Sequence, residues 1–323
     1  MSLGTAPVSE RGRTTLRFLA LPADAGVDGR SMQAGRVLEW IDRAGFACAA
    51  AWSGSYCVTA YDGDVHFARP IRVGDLVTAE ARIISTGRTS MQVLVTVATA
   101  DPTVGGYERA TRCLLVFVAL DDERRPRPVP PWLPASVAEL DLTDRGQQRI
   151  AARARIRAAM EAEPYTEAGT APRLLLRFLA QPADVNWGGT VHGGTVMRWI
   201  DEAAQACAAG WTRRPTVSVY AGGIHFHRPI AIGSIVEVES RILHTGPHSI
   251  HLATHVWSRP VTGGEAALTT QCMTISVCPG EDGTASAVPP IPLVSDEDHR
   301  LDRHARELVG MRAELEAIGD EEA

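Results

Sequence analysis

The stretch Ala183-Asp184-Val185-Asn186-Trp187-Gly188-Gly189-Thr190-Val191-His192-Gly193-Gly194 gathers groups suited to carbonyl chemistry. It runs into an apolar, helix-forming segment, so its last glycines stand where backbone N–H groups lack intrahelical acceptors. Without a Cβ, Gly193 and Gly194 let a ligand oxygen come close to those N–H groups. Aimed at a carbonyl, they would form an oxyanion hole assisted by the helix dipole. Two helical turns further on comes Asp201, a carboxylate on an otherwise apolar helix, costly to bury unless paired or used. Asn186 and His192 add an amide and an imidazole from the same loop. Taken singly, each has a structural explanation: tight packing for the glycines, a cap or core histidine, a turn asparagine, a buried hydrogen-bond acceptor. Their convergence in one segment is what points to catalysis.

The elements that must position these groups occur twice. Leu16-Arg17-Phe18-Leu19-Ala20 returns as Leu176-Arg177-Phe178-Leu179-Ala180, and Trp40-Ile41-Asp42 returns as Trp199-Ile200-Asp201. His66-Phe67-Ala68-Arg69-Pro70-Ile71 returns as His225-Phe226-His227-Arg228-Pro229-Ile230. The spacing far exceeds the roughly 20–50 residues of a solenoid repeat, so each copy folds as a domain. A length of 323 residues agrees with two domains of about 150 each. Each copy opens with a short strand (15–20 or 174–180), then a loop, then a helix starting near Gly35 or Gly194. The first helix is apolar around most of its circumference and is therefore buried. Segments rich in Val, Ile and Thr follow at 56–61, 65–67, 76–85, 91–100 and 109–120, separated by turns such as Asp62-Gly63 and Thr86-Gly87.

One buried helix followed by a long antiparallel meander implies a sheet wrapped around a helix. The expected class is α+β, with two hotdog domains, each an antiparallel β-sheet around a central α-helix. The boundaries read as 1–131 for the first domain, 132–170 for a linker with a helix, 171–290 for the second domain and 291–323 for a C-terminal helix. Amphipathic helices are expected at 143–163 and 295–318, each with a cap residue at its start.

With 45% hydrophobic and 22% charged residues, each copy can bury a core. A net charge of −6 leaves no footprint for nucleic acid. No apolar run approaches the roughly 18–20 residues that span a bilayer, and the first 15 residues lack the apolar centre of a signal peptide. The six cysteines include no CxxC pair and read as buried thiols of a reducing cytoplasm. A serine-nucleophile elbow, a His-Glu-x-x-His zinc site, a P-loop and a dinucleotide fingerprint are all missing from the sequence.

Asn186-x-x-Gly189-x-x-His192-Gly193-Gly194, followed by Trp199-Ile200-Asp201-Glu202-Ala203, resembles the acyl-CoA thioesterase branch of the hotdog superfamily. Phe-x-x-Pro-Ile and Thr86-Gly87-Arg88-Thr89-Ser90-Met91 are similar to that branch too. The resemblance covers both copies and is closest to the tandem-hotdog acyl-CoA hydrolases. It implies hydrolysis of an acyl-CoA thioester without metal or cofactor, coenzyme A entering as part of the substrate. It also implies that an Asp on the buried helix of one hotdog works with an Asn from its neighbour's loop. The Asp would act as general base or nucleophile, and a carboxylate at an apolar interface is a stronger base than one in water. Further association into a homo-oligomer, a trimer of tandem hotdogs, is implied as well. For coenzyme A the turn residues Arg88, Thr89 and Ser90 are candidate contacts, with Arg69 and Arg228 weaker ones.

The copies are unequal. The first loop, Asp24-Ala25-Gly26-Val27-Asp28-Gly29-Arg30-Ser31-Met32-Gln33-Ala34-Gly35, is one residue longer and puts Gly26 or Val27 where the second has Asn186. Gln33-Ala34-Gly35 replaces His192-Gly193-Gly194, while Asp42 remains. The expectation is one working site per chain, joining Asp42 to Asn186, His192, Gly193 and Gly194, with Asp201 left in a degenerate second site. A MaoC-type enoyl-CoA hydratase, whose signature also gathers Asp, Asn and His, and a non-catalytic acyl-CoA binding protein are the alternatives.

Overall fold

Two helices that are apolar on nearly every side need cover on two sides, and both receive it. In the computed structural model, which describes residues 12–280 and 284–317, α1 (Ala34–Ser53) packs one face on the sheet of its own repeat. Its other face packs on α3 (Gly193–Thr212) of the second repeat. Glycines set how near the helices come. A Cβ on Gly35 would lie 2.8 Å from Arg198 Cα, and one on Gly194 would lie 2.8 Å from Glu39 Cα. The first turn of each helix therefore meets the second turn of the other, beside the two aspartates.

The strands of the first repeat are β1 (Arg13–Leu19), β2 (Cys57–Asp62), β3 (Val65–His66), β4 (Leu76–Thr86), β5 (Ser90–Ala100) and β6 (Glu108–Ala119). Those of the second are β7 (Arg173–Leu179), β8 (Val217–Phe226), β9 (Ile235–Thr245), β10 (Ile250–Arg259), β11 (Ala267–Pro279) and β12 (Ala285–Ser286). Hydrogen bonding follows the order β1-β4-β5-β6-β2-β8-β11-β10-β9-β7, antiparallel throughout, so one sheet runs through both repeats. The seam is short: β2 meets β8 at Tyr61↔His225 and Asp62↔Ile224, with β3 adding Val65↔Ala221 and His66↔Tyr220. The buried core includes Leu38, Ile41, Leu115 and Phe117 of the first repeat and Met197, Ile200, Ile224 and Val238 of the second.

α2 (Val137–Ala162) starts before the residue expected from sequence. Ser136 is its cap, accepting from Glu139 N–H at 3.2 Å, while Glu139 Oε2 accepts from Ala135 N–H. Thr143 sits inside the helix and donates instead to the carbonyl of Ile84 at 2.6 Å. With α4 (Asp296–Ala317), α2 covers the outer face of the second repeat's sheet, where Ile156, Met160, Leu301 and Leu308 pack on Leu243 and Met273. The expected strands and buried helices are present within a residue or two. The expected ends 1–11 and 318–323 lie outside the described residues. Among the described residues no helix is long and apolar enough to cross a membrane.

Candidate active site

Asp42, on the second turn of α1, points into the crossing of the two helices and is 1% exposed. Three donors converge on it. Thr59 on β2 donates to Oδ1 at 2.6 Å, Gly194 N–H donates to Oδ2 at 2.7 Å, and His192 Nδ1 lies 2.7 Å from the same Oδ2. Gly194 N–H is also 3.2 Å from His192 Nδ1. One nitrogen cannot both donate and accept. The shorter contacts put the proton on Nδ1 and make the carboxylate the acceptor from both. Nε2 is then the nitrogen that His192 offers to the cavity it lines.

Burial, the largest influence on Asp42, pushes its carboxyl up. The His192 charge and the hydrogen bonds from His192, Thr59 and Gly194 together outweigh it and hold the carboxyl below its ordinary 3.8. Burial likewise pushes His192 down, but the neighbouring Asp42 carboxylate outweighs it and raises the imidazole above its ordinary 6.5. The pair is thus a carboxylate and an imidazole that each favour the other's charged form. Sequence reasoning expected Asp42 to be a strengthened base; its donors make it a weakened one.

The cavity measures about 1000 Å³ and lies between the repeats. Phe46, Ala47, Ala50 and Val58 from the first repeat, with Val196, Phe226 and Ile230 from the second, give it apolar walls. Asp42, Thr59, Asn186, His192 and Gly193 form one polar patch, and Arg43, Arg124 and Arg228 line it as cations.

Asp201 makes a different site. Gly35 N–H and Gln205 Nε2 donate to its Oδ2 at 2.8 and 2.9 Å, and Ser218 donates to Oδ1 at 2.6 Å. Burial, its largest influence, raises its pKa despite those three hydrogen bonds, and the nearby Glu202 carboxylate adds to the rise. It lies outside the cavity wall. Gln205, which closes over it, stands where the first repeat has Phe46.

The profile of the thioesterase superfamily matches residues 32–105 and 188–264. An uncharacterised acyl-CoA thioester hydrolase of Zymomonas mobilis is 34% identical over 134 residues, which are 39% of this chain and 83% of that relative. The chain belongs to the thioesterase superfamily. The human cytosolic acyl coenzyme A thioester hydrolase is 24% identical over 315 residues, 90% of this chain and 81% of that relative, so the likeness spans both repeats. A solved Lactobacillus plantarum structure assigned as an oleoyl thioesterase has a TM-score of 0.58 at 10% identity, covering 83% of this chain and 97% of that one. At that identity the likeness is one of fold, and the fold is the hotdog.

Within this family frame the expected residues separate. Asp42, Asn186, His192 and Gly193 come together in the cavity wall. Gly194 is beside them, but its N–H is given to Asp42 and is not the free oxyanion donor expected. Asn186 uses its whole amide inside its own loop. Oδ1 accepts from Gly188 N–H at 2.8 Å and Thr190 N–H at 3.2 Å, and Nδ2 donates to Thr190 Oγ1 at 3.0 Å and the Val191 carbonyl at 3.3 Å. The uncertain gap in the first loop resolves on Gly26. Gly26 N–H bonds the Ser31 carbonyl as Asn186 N–H bonds that of Thr190, and the bridges Ala25↔Met32 and Val185↔Val191 match.

Arg88, Thr89 and Ser90 are not brought to the cavity. They form the β4–β5 turn, where the Thr89 and Arg88 carbonyls accept from Ala119 and Val129 N–H. The cations at the cavity are Arg43, Arg124 and Arg228, the last of which sequence reasoning had ranked low; Arg69 pairs with Glu108. Thr59 was missed. Its signal was present in both copies, since a hydroxyl follows each helix aspartate by 17 residues and bonds it.

Proposed function

We propose that the chain hydrolyses acyl-CoA thioesters at the Asp42 cavity, with His192 as the group that activates water. The observation carrying this reading is the Asp42–His192 pair, set in the wall of an apolar cavity that three arginines also line. An acyl chain suits the apolar walls, and the phosphates of coenzyme A suit Arg43 and Arg228. The names of the relatives, acyl-CoA thioester hydrolases, support the same substrate class.

In this mechanism His192 Nε2 takes a proton from water while Asp42 holds the ring by Nδ1 and stabilises the imidazolium that forms. The water oxygen adds to the thioester carbonyl. Gly193 N–H, at the helix start, donates to the oxyanion. Asn186 Nδ2 joins it by giving up the 3.3 Å contact to Val191, the longer of the two that it donates. Collapse breaks the C–S bond, and the coenzyme A thiolate leaves or takes the proton from His192. Coenzyme A belongs to the substrate, and no other cofactor takes part. Asp201, neutralised more readily and closed over by Gln205, serves structure.

The test is free-thiol release from a panel of acyl-CoAs of different length, by wild type, Asp42→Ala and Asp201→Ala. Turnover by wild type and Asp201→Ala with loss in Asp42→Ala is expected. Loss in Asp201→Ala alone would reverse the assignment, and hydration of a 2-enoyl-CoA without thiol release would replace it. A trimer and a cytoplasmic setting belong to the same proposal. The outermost strands β1 and β7 carry exposed Leu19, Leu175 and Leu179, suited to contacts between copies, and sedimentation of the full chain measures this.

A further inference from the structure

Arg124 lies in the turn after β6 with φ 64°, a left-handed backbone that residues with a side chain rarely adopt. The turn after β11 is closed in the same way: Gly280 N–H donates to the Thr284 carbonyl as Asp121 N–H donates to that of Arg125. The residue matching Arg124 there is Gly283, the type such backbone ordinarily takes, though it lies outside the described residues. An arginine kept at a strained position, where the sister repeat has glycine, points to a use for its side chain.

That side chain crosses between the repeats. Its guanidinium lies 5.3 Å over the Tyr56 ring and donates to the carbonyl of Gly188, in the loop that carries Asn186. Tyr56 bonds Thr190 of the same loop, and its hydroxyl fills the space where a Cβ on Gly188 would go. Trp187 closes the contact edge-on to Phe46, ring centroids 5.6 Å apart. Because the Asn186 amide makes its hydrogen bonds inside this loop, it goes wherever the loop goes. At the matching positions of the other half, Tyr56 is replaced by Pro215, Phe46 by Gln205 and Asn186 by Gly26. Among the described residues the clasp stands only beside the cavity that holds Asn186.

We infer that Arg124 is a positioning residue, a latch that ties the Asn186 loop of the second repeat to the first and fixes the Asn186 amide in the cavity. The inference rests on the reading that Asn186 acts at the Asp42 cavity. Arg124→Gly removes the latch while restoring the residue its backbone suits, so the full chain folds with an unchanged or higher Tm. Acyl-CoA hydrolysis by this variant is expected to lose about tenfold or more in kcat, since small displacements of a positioned group cost rate steeply, with KM much less affected. In an Asn186→Ala background the same change is expected to alter kcat less than about twofold, because its route runs through Asn186.

Wild-type kcat in Arg124→Gly would overturn the latch. So would an equal loss in both backgrounds, or a rise in KM with kcat intact, which would make Arg124 a direct substrate contact. Wild-type kcat in Asn186→Ala itself would instead sink the reading of the site on which the latch depends.

Discussion

Asp42→Asn isolates the charge of the Asp42–His192 pair from its geometry. The amide matches the carboxylate in shape. With its oxygen in place of Oδ2 it still accepts from Gly194 N–H and His192 Nδ1, and its NH₂ can donate to a rotated Thr59 hydroxyl. What is lost is the negative charge 2.7 Å from Nδ1. Two unit charges at that distance attract by about 6 kcal/mol at an effective dielectric constant of about 20. The amide dipole replaces part of this, and the imidazolium is only partly formed in the transition state. A fall in kcat of about 10² to 10⁴ follows, at about 1.4 kcal/mol per factor of ten. Asp201→Asn is the control. Its partners Gly35, Ser218 and Gln205 are equally tolerant of an amide, and it does not line the cavity, so kcat should stay within about twofold of wild type. Both variants are assayed by thiol release at saturating acyl-CoA, with thermal unfolding to confirm the fold. Equal kcat in the two variants, or an Asp42→Asn enzyme within a few-fold of wild type, would refute the charge argument.

The pH dependence follows from the same pair. His192 must be neutral to accept a proton, so kcat/KM should fall as pH drops through a pKa above 6.5, and Asp42→Asn should move that limb to lower pH, since the main influence opposing burial is then gone. The signs for stability are opposite in the two partners. The raised His192 contributes stability that is complete below 6.5 and lost as pH rises through its folded pKa, while the depressed Asp42 contributes stability that is present above 3.8 and lost as pH falls through its own; denaturant unfolding across pH reads both. Gly35→Ala and Gly194→Ala should each destabilise by about 1–3 kcal/mol, because the new Cβ meets helix backbone, but only Gly194→Ala should also lose turnover beyond what its stability explains. Thr59→Val, which strips a donor from a buried carboxylate, should destabilise by about 1–3 kcal/mol and raise the Asp42 pKa; a variant as stable as wild type would show that Thr59 is not a needed partner.

The duplicated fold was legible because its signals are local or periodic: apolar helices, alternating strands, turn residues, and a second copy to check each against. Asp42 was legible as a feature that both copies share and His192 as a difference between the aligned loops, and the structure brings the two together. What stayed hidden depends on contacts between distant segments. Thr59 reaches Asp42 only through the register of β2 on α1. Arg124 reaches Gly188 across the repeat boundary, and its side chain in sequence looks like any charged turn residue. The opposite pKa directions of Asp42 and Asp201 could not be read from two identical Trp-Ile-Asp motifs, because the His192 charge helps outweigh burial at Asp42 while hydrogen bonds alone do not outweigh it at Asp201. Asn186 was recognised, but as a free amide, since its hydrogen bonds follow from a loop conformation that sequence alone does not specify.

The joining of both repeats in one sheet and one chain also bears on how such a pair can change over time. Two separate identical subunits meeting about a twofold axis must place every substitution in both of their sites at once. A glutamine in place of His192 would then strip each site of its imidazole. Covalent linkage removes that equality, because the tether keeps unlike halves together at high effective concentration and leaves no identical partner to choose. Gln33, Gly26 and Gln205 can thus accumulate on one side of the crossing without appearing on the other. A linked chain can thus change the loop beside one aspartate while the loop beside the other stays as it was.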